Sequence, residues 1–449
     1  MSATYMDFIE RKKYRSHDHG FSPVFMPDFL FDFQKHLTEW ACKKGRSALF
    51  EDCGMGKTAQ MLVFAENVRL KHDSNVLILT PLSVAEQTVR EGVKFGIEVH
   101  HSRDGKIQRG INVTNYERLS HFDKNDFNCV ILDESSIIKN FAGAFRDEVT
   151  EFMHDVPFRL LASATPAPND HMELGTSSEA LGYLRRVEML STFFVHDSES
   201  TQKWALKGHG VKPFWKWMST WARAIRRPSD LGFEDGKFIL PEMQMVQHTL
   251  KSKPRDGQLF STAAVTLDEQ RAERRNSIDE RCAKVAEIAN ANTEPFIAWG
   301  SLNDECDMME RLIDGAVQIS GADKDTEKER KIIGFINGEI RALVSKPSIV
   351  GFGLNFQHCN RMSFFPSHSH EQFYQASRRC WRFGQTRSVE CHIVTTEAES
   401  AVIDNMKRKE RQAEEMFDGI IRGMHDFQTK DIFSYGYEAN KQMEIPAWV

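Results

Sequence analysis

Near-continuous apolar runs of four or five residues, separated by polar helical stretches, constrain this chain more than any other feature. In the first half they are Val76-Leu77-Ile78-Leu79-Thr80, Ile111-Asn112-Val113-Thr114, Cys129-Val130-Ile131-Leu132 and Arg159-Leu160-Leu161-Ala162, with Ala85 to Phe95 and Ala142 to Met153 among the segments between. A strand that is apolar on both faces must be covered on both, which is the habit of parallel sheets with helices above and below. The series restarts further on: Pro295 to Trp299, Val317 to Ser320, Ile340 to Ser345, Arg361 to Phe365 and Val389 to Val394. With 449 residues there is room for two or three cores. The fold class read from this pattern is α/β, in two lobes, each a parallel sheet with helices on both faces. Ligands of such sheets gather at the carboxyl ends of the strands.

The boundaries follow composition. Residues 1–28 are an irregular lead-in broken by Pro23 and Pro27. Lobe 1 takes 29–250. Lys251-Ser-Lys-Pro-Arg-Asp-Gly257 loses apolar content, so 251–267 is read as the linker. Lobe 2 takes 268–425, opening with a charged helix from about Asp268 to Asn290. A tail, 426–449, has no clear pattern. Within lobe 1, Ser200 to Ser229 holds four lysines, three arginines and no acid, interleaved with Trp204, Trp215, Trp217 and Trp221. Residues 212–227 read as a two-faced helix ended by Pro228. Its stripe of Phe214, Trp217, Met218, Trp221 and Ile225 reads as core rather than a base-stacking platform. Its opposite stripe of Lys216, Thr220, Arg223 and Arg227 suits a phosphate-facing surface and a solvated face equally.

Net charge is −6, so any polyanion partner must be met by a local groove rather than by the molecule as a whole. No run approaches the ~20 apolar residues of a membrane span, and Met1 to Arg15 lacks an apolar secretory core. Eight scattered cysteines without a C-x-x-C pair read as reduced thiols of a cytoplasmic protein. The pairs His17/His19, His100/His101 and His368/His370 have no partners at ligand-like spacing and read as solvated loop residues.

Four polar clusters sit at the ends of the apolar runs. In Ser47-Ala-Leu-Phe-Glu51-Asp-Cys-Gly54-Met55-Gly56-Lys57-Thr58 a strand feeds a two-glycine turn and then a helix. Backbone N–H groups and a helix N-terminus there suit a nucleotide's phosphates. Lys57 is placed to reach the β- and γ-phosphates and Thr58 to ligate Mg²⁺. The strict pattern has Gly at position 51; this chain has Glu. Asp133-Glu134-Ser135-Ser136 puts two acids at a strand tip, where they face solvent or a cation. The functional reading gives Asp133 to Mg²⁺ and Glu134 the proton of an attacking water. Ser163-Ala-Thr165-Pro166, at the next tip, offers hydroxyls able to sense those acids. In the second half, Ser345 to Phe356 offers hydroxyls, Lys346 and glycines to a sugar-phosphate backbone. Arg379 and Arg382, three apart, would share one helix face and could neutralise a transferring phosphoryl group. Upstream, Gln34 opens a helix through Trp40, and its amide suits the N6/N7 edge of adenine.

Taken in order, these strings resemble a known set. Gln34, Gly54-Met-Gly-Lys-Thr58, Thr80-Pro-Leu82, Thr114-Asn-Tyr-Glu117, Asp133-Glu-Ser-Ser-Ile-Ile-Lys139-Asn140 and Ser163-Ala-Thr-Pro-Ala-Pro-Asn169 resemble the first-lobe motifs of superfamily-two helicases. Gly351-Phe-Gly353-Leu-Asn355 and Gln375-Ala-x-x-Arg379-x-x-Arg382-x-Gly384-Gln385 resemble the second-lobe motifs. The Lys139-Asn140 extension and the Gly384-Gln385 ending are similar to the Snf-type branch of double-stranded-DNA translocases. Arg226-Arg-Pro-Ser-Asp-Leu-Gly232 is similar to compact bacteriophage and prophage helicases. Motif two reads Asp-Glu-Ser-Ser where the remodellers have Asp-Glu-Ala-His.

The resemblance implies two RecA-like lobes with ATP and Mg²⁺ in the cleft between them. Gln34, Gly54, Met55, Gly56, Lys57, Thr58, Asp133 and Gly353 would bind the nucleotide. Thr58 and Asp133 would hold the metal, and Lys57, Glu134, Arg379 and Arg382 would act in catalysis. DNA, expected double-stranded, would be gripped without sequence preference through Thr80, Thr114, Ser163, Thr165, Lys346 and Ser348. A monomer in the cytoplasm, met by phage or host replication and recombination proteins, completes the expectation. An RNA helicase, or a nucleic-acid scaffold with a decayed ATPase, stand as the alternatives.

Overall fold

The computed structural model describes residues 18–433 except 82–83, 140–142, 168–169, 198–199, 253–266, 351–354 and 367–369. The chain divides into two units, Met1–Gly236 with Ala413–Val449, and Lys237–Gln412. No helix among the described residues is long and apolar enough to cross a membrane.

The first unit is built on β1 (Arg46–Glu51), β2 (Val76–Thr80), β3 (Val99–His101), β4 (Ile111–Asn115), β5 (Cys129–Asp133) and β6 (Phe158–Ser163). A ribbon of β7 (Phe194–Asp197) and β8 (Ser200–Leu206) pairs antiparallel beside it, and β9 (Ala222–Ile225) completes the main sheet. The seven strands run in the order β3-β4-β2-β5-β6-β1-β9, and every pairing is parallel. Every residue of β2 and of β4 is buried, as covering on both faces requires.

Residues 212–227 are not one helix. The helix is Val211–Ser219, and β9 follows it against β1, with Leu49 opposite Arg223 and Glu51 opposite Ile225. Phe214, Trp217, Met218, Trp221 and Ile225 all enter the core, because apolar residues at helical spacing up to 218 run on into the alternation of a buried strand. The basic stripe is broken: Lys216 and Arg227 are exposed, but Arg223 between them is withdrawn from the surface. The Arg223 guanidinium is buried 4.1 Å from the centroid of the Trp40 ring and donates to the Ser219 and Ala222 carbonyls. Pro228 starts a 3-10 turn, Pro228–Leu231, rather than ending a helix.

The second unit begins earlier than composition indicated. Its sheet contains β10 (Met243–Leu250), β11 (Phe296–Trp299), β12 (Ala316–Ile319), β13 (Ala342–Ser345), β14 (Arg361–Phe364) and β15 (Val389–Thr396). They are ordered β10-β15-β14-β11-β13-β12, again all parallel. Residues 243–250, placed in lobe 1 by composition, are thus the edge strand of the second sheet. An edge strand is half solvated and carries no apolar run to announce it. Most of the expected linker lies outside the described residues. The charged helix expected from 268 to 290 is two, Leu267–Asn276 and Ile278–Asn290.

The last helix, Ser400–Phe433, starts in the second unit and from Ala413 belongs to the first. Residues 413–425, assigned to lobe 2 from the sequence, therefore pack elsewhere. Phe417, Ile420, Ile421 and Met424 join the cluster containing Trp215, Trp217 and Trp221. Gln428 accepts from the Ala224 N–H at 2.8 Å and donates back to the Ala224 carbonyl at 3.3 Å, on the outer edge of β9. Gly423 lies flat on the Trp215 indole, where an added Cβ would come within 2.5 Å of the ring. Gly→Ala in a helix ordinarily stabilises by about 0.5–1 kcal/mol. That gain is expected at Gly419, whose Cβ would meet nothing within 4 Å. At Gly423 the sign should reverse, with a loss of about 1–3 kcal/mol from overpacking, both read as shifts in urea midpoint.

Candidate functional site

Three neighbouring strands of the first unit bring the polar clusters to one end of the sheet. The register pairs Phe50 of β1 with Ser163 of β6, and Ala162 of β6 with Asp133 of β5. The loop after β1 turns through Gly54 (φ 90°) and Gly56 (φ 86°) into the sixteen-residue helix Lys57–His72. These left-handed positions favour glycine and aim successive backbone N–H groups at an anion. The Lys57 ammonium donates to the carbonyls of Glu51 (2.7 Å) and Asp52 (3.1 Å) at the strand end. Thr58 is partly exposed beside it.

The loop is braced from two sides. Gln34 Nε2 donates to the Met55 carbonyl at 2.7 Å, while Gln34 Oε1 accepts from the Phe31 N–H at 3.0 Å. Both ends of the amide expected on an adenine edge thus serve the protein, and Gln34 is buried. Gln60, on the phosphate-loop helix, donates to Glu51 Oε2 at 2.8 Å and reaches Met55 O at 3.4 Å. The sequence reading passed over Gln60 and the carboxyl of Glu51. Their signal was polarity within otherwise apolar runs: Glu51 ends Ala48-Leu49-Phe50, and Gln60 precedes Met61-Leu62-Val63-Phe64.

At the tip of β5, Glu134 has φ 56°, a left-handed conformation that a long side chain seldom adopts, at a cost of roughly 1–3 kcal/mol. Its Oε1 accepts from Ser136 Oγ (3.1 Å), Ser163 Oγ (3.0 Å) and Thr165 Oγ1 (3.5 Å). The hydroxyls of Ser163-Ala-Thr165 therefore do meet the acid. Asp133 is fixed through its main chain, whose carbonyl accepts from the buried Tyr116 hydroxyl at 2.8 Å. Burial first, then Asp133 and Glu134, raise the Tyr116 phenol well above its ordinary range, so it stays a donor. The hydroxyl of Thr58 and the carboxylate of Asp133 are hard oxygen donors, the chemistry Mg²⁺ takes. Both residues are partly exposed at the ends of neighbouring elements, and the set fits that ion.

The expected DNA contacts fare differently. Thr80 and Thr114 are fully buried, and their hydroxyls go to the Thr114 and Ser102 carbonyls. Ser163 is fully buried and faces Glu134; these three side chains offer nothing to a phosphate here, which corrects the reading from sequence. Thr165 is partly exposed. Arg103 and Lys106 follow β3 in the chain, and Arg118 follows β4; none belongs to a motif singled out from the sequence. Arg118 donates to the Arg103 carbonyl, and Arg103 pairs with Glu86.

In the second unit, Lys346 is half-buried and Ser348 exposed, just after β13. Arg379 and Arg382 do not share a helix face. The helix His370–Ser377 stops before them, and both lie in the turns that follow. Arg379 is buried, donating to Gln375 O (3.0 Å) and Gln375 Oε1 (2.8 Å), and its carbonyl accepts from the Phe356 N–H. Gln385 ties the turn down: Nε2 donates to the carbonyls of Gln357, Cys359 and Cys380, and Oε1 accepts from the N–H groups of Thr386 and Arg387. Leu82, Asn140, Asn169 and Gly353 lie outside the described residues.

No protein-family model matches the chain. It is similar to the "DNA excision repair protein ERCC-6" of Mus musculus, 27% identical over 194 residues, covering 35% of this chain and 13% of that protein. It is also similar to the "SWI/SNF-related matrix-associated actin-dependent regulator of chromatin subfamily A-like protein 1" of Xenopus laevis, 29% identical over 164 residues, covering 34% of this chain and 17% of the relative. The matched stretch is thus a small part of either relative. Among solved structures, the "Sulfolobus solfataricus SWI2/SNF2 ATPase core in complex with dsDNA" aligns with a TM-score of 0.43 at 16% identity, over 93% of this chain and 99% of that one.

Gly56 tests the bracing of the loop. A Cβ there would sit 2.2 Å from Gln34 Nε2, at a φ that disfavours side chains. Gly56→Ala is expected to cost about 1–3 kcal/mol in chemical denaturation. In combination with Gln34→Ala the loss should be smaller than the sum, because the clash disappears with the amide.

Proposed function

We propose that this chain is a Mg-ATP-dependent DNA translocase or helicase of the Snf-type branch of superfamily two. The observation that carries the reading is the joining, at one end of the first sheet, of a two-glycine phosphate loop to a strained acid held by three hydroxyls. A phosphate loop alone suits many nucleotide-binding proteins. A carboxylate oriented one strand away, through residues of the next strand tip, suits one that also moves a water's proton. The partial similarity to a DNA excision repair protein supports DNA over RNA as the track.

In this reading Lys57 leaves the strand-end carbonyls for the β- and γ-phosphates, while the N–H groups after Gly54 cradle them. Thr58 and Asp133 would hold Mg²⁺, which when bound neutralises phosphate charge. Glu134 accepts the proton of the attacking water, and Ser163 and Thr165 hold its carboxylate in line. Arg379 and Arg382 are proposed to stabilise the transferring phosphoryl group. Phosphate-dominated contact with DNA, through Lys346, Ser348, Thr165 and the cations Arg103, Lys106 and Arg118, gives little sequence preference. The Arg226 to Gly232 string supports a bacteriophage-type helicase at work in a host cytoplasm.

Steady-state ATP hydrolysis with double-stranded DNA, single-stranded DNA and RNA tests the proposal. Duplex DNA is expected to stimulate most, and the stimulation should weaken steeply as salt rises. Glu134→Gln should bind ATP with near-normal affinity yet turn it over at least ~10²-fold more slowly. Arg382→Ala should lose ~10³-fold in kcat if it acts on the transferring phosphoryl. Turnover surviving in Lys57→Ala would falsify the assignment of the loop.

A further inference from the structure

Glu51 stands where a strict phosphate loop has glycine, and none of the roles above uses its side chain. It ends β1 and is wholly buried. Its Oε2 accepts from Gln60 Nε2, while among the described residues Oε1 has no hydrogen-bond partner, and neither has Gln60 Oε1. A buried carboxyl with a single donor is poor support for a fold, since the desolvation it suffers exceeds what one hydrogen bond returns. Its connections run instead to the phosphate loop. The Glu51 carbonyl accepts from Lys57 Nζ, and the Gln60 that holds its carboxyl also reaches the Met55 carbonyl within the loop.

We propose that Glu51 is a positioning residue whose buried carboxyl, acting through Lys57 and Gln60, sets how tightly the loop grips a nucleotide's phosphates. This rests on the ATP-binding reading given above. An ionised carboxylate holds the Lys57 ammonium back at the strand end and repels phosphate; a protonated one does neither. Burial pushes this carboxyl up to about 7, with Lys57 and then Gln60 acting in the opposite direction. Its charge therefore changes close to neutrality.

The other groups around it do not take over this part. Asp52, next in the chain, accepts from the Cys53 N–H. On β9 the register partner is Ile225, and nearby Arg223 is committed to the Trp40 ring and to the Ser219 and Ala222 carbonyls. The helix Asp32–Lys44 reaches the loop with the uncharged Gln34. The sign follows. Below about pH 7 the carboxyl is neutral and Lys57 is released to phosphate, so nucleotide binds more tightly. Above it, affinity falls.

Binding of a non-hydrolysable ATP analogue with Mg²⁺, measured from pH 6 to pH 8 on the full chain, tests the proposal. Wild type and Glu51→Gln should bind equally at pH 6. At pH 8 the variant should bind about tenfold more tightly, the change that one unit of pKa displacement produces. The analogue's own ionisation is common to both proteins and cancels in the ratio. In turnover the difference should appear in KM and leave kcat nearly unchanged, and Glu51→Asp should restore the pH dependence. A ratio that stays constant across the range, or an effect confined to kcat or to melting temperature, overturns the role of Glu51 while leaving the ATP reading standing. Failure of the wild type to bind the analogue at any pH removes the ATP reading and this role together. If Glu51→Gln does not fold, Gln60→Leu serves. Removing the donor should move the fall in affinity to higher pH, and an unmoved profile overturns the proposal.

Discussion

The adjacency of β5, β6 and β1 underlies everything at the candidate site. Parallel pairing fixes the three strands in a register that leaves Ser163 beside Phe50 on one side and brings Glu134 next to Ser163 on the other. A slip of one residue between β5 and β6 would turn the Ser163 hydroxyl away from Glu134 and leave the acid to Ser136, from its own turn. The left-handed backbone at Glu134 is tolerable because this register supplies the partners that hold its carboxylate. Local strain and long-range strand pairing are thus two aspects of one arrangement.

The second unit solves a different problem with buried charge. Arg281 and Glu305 are both fully buried and meet at 2.6 Å. Glu305 Oε2 also accepts from the Ser301 and Leu302 N–H groups that open the helix Asn303–Leu312, and Arg281 lies over the Phe365 ring. A buried pair of this kind contributes little net stability, yet losing either partner would leave an uncompensated charge in the core. It specifies one packing of two helices against the sheet. Gln385 does the same work with a neutral group, holding the Arg379–Arg382 turn through five side-chain hydrogen bonds.

Much of this architecture could be read from the residues. The buried strands of both sheets announced themselves as apolar runs, because strands covered on both faces carry no polar alternation to blur them. The two-glycine turn before Lys57 and the Asp133-Glu134 pair fall at the ends of β1 and β5, where the apolar runs that precede them in the sequence place them. What escaped was decided by tertiary context. Trp221 and Ile225 continue a helical spacing, yet Ala222–Ile225 is a strand, since the free edge of β1 offered a ladder worth more than another helical turn. β10 fell within the expected lobe 1 because a largely exposed edge strand carries no apolar run to mark where the second sheet begins. Arg379 and Arg382 have helical spacing in a segment whose helix has already ended. Burial of Thr80 and Thr114 depends on which neighbouring carbonyls their hydroxyls reach, which no one-dimensional pattern records.

The last helix has a meaning beyond its share of the core. By occupying both the N–H and the carbonyl of Ala224, Gln428 imitates a further strand one residue long. The outer rim of β9 is thereby closed to a second chain seeking to extend the sheet. A side chain contributed 204 positions downstream thus caps this stretch of the rim, and the cap can form only once residue 428 has joined the chain that carries β9.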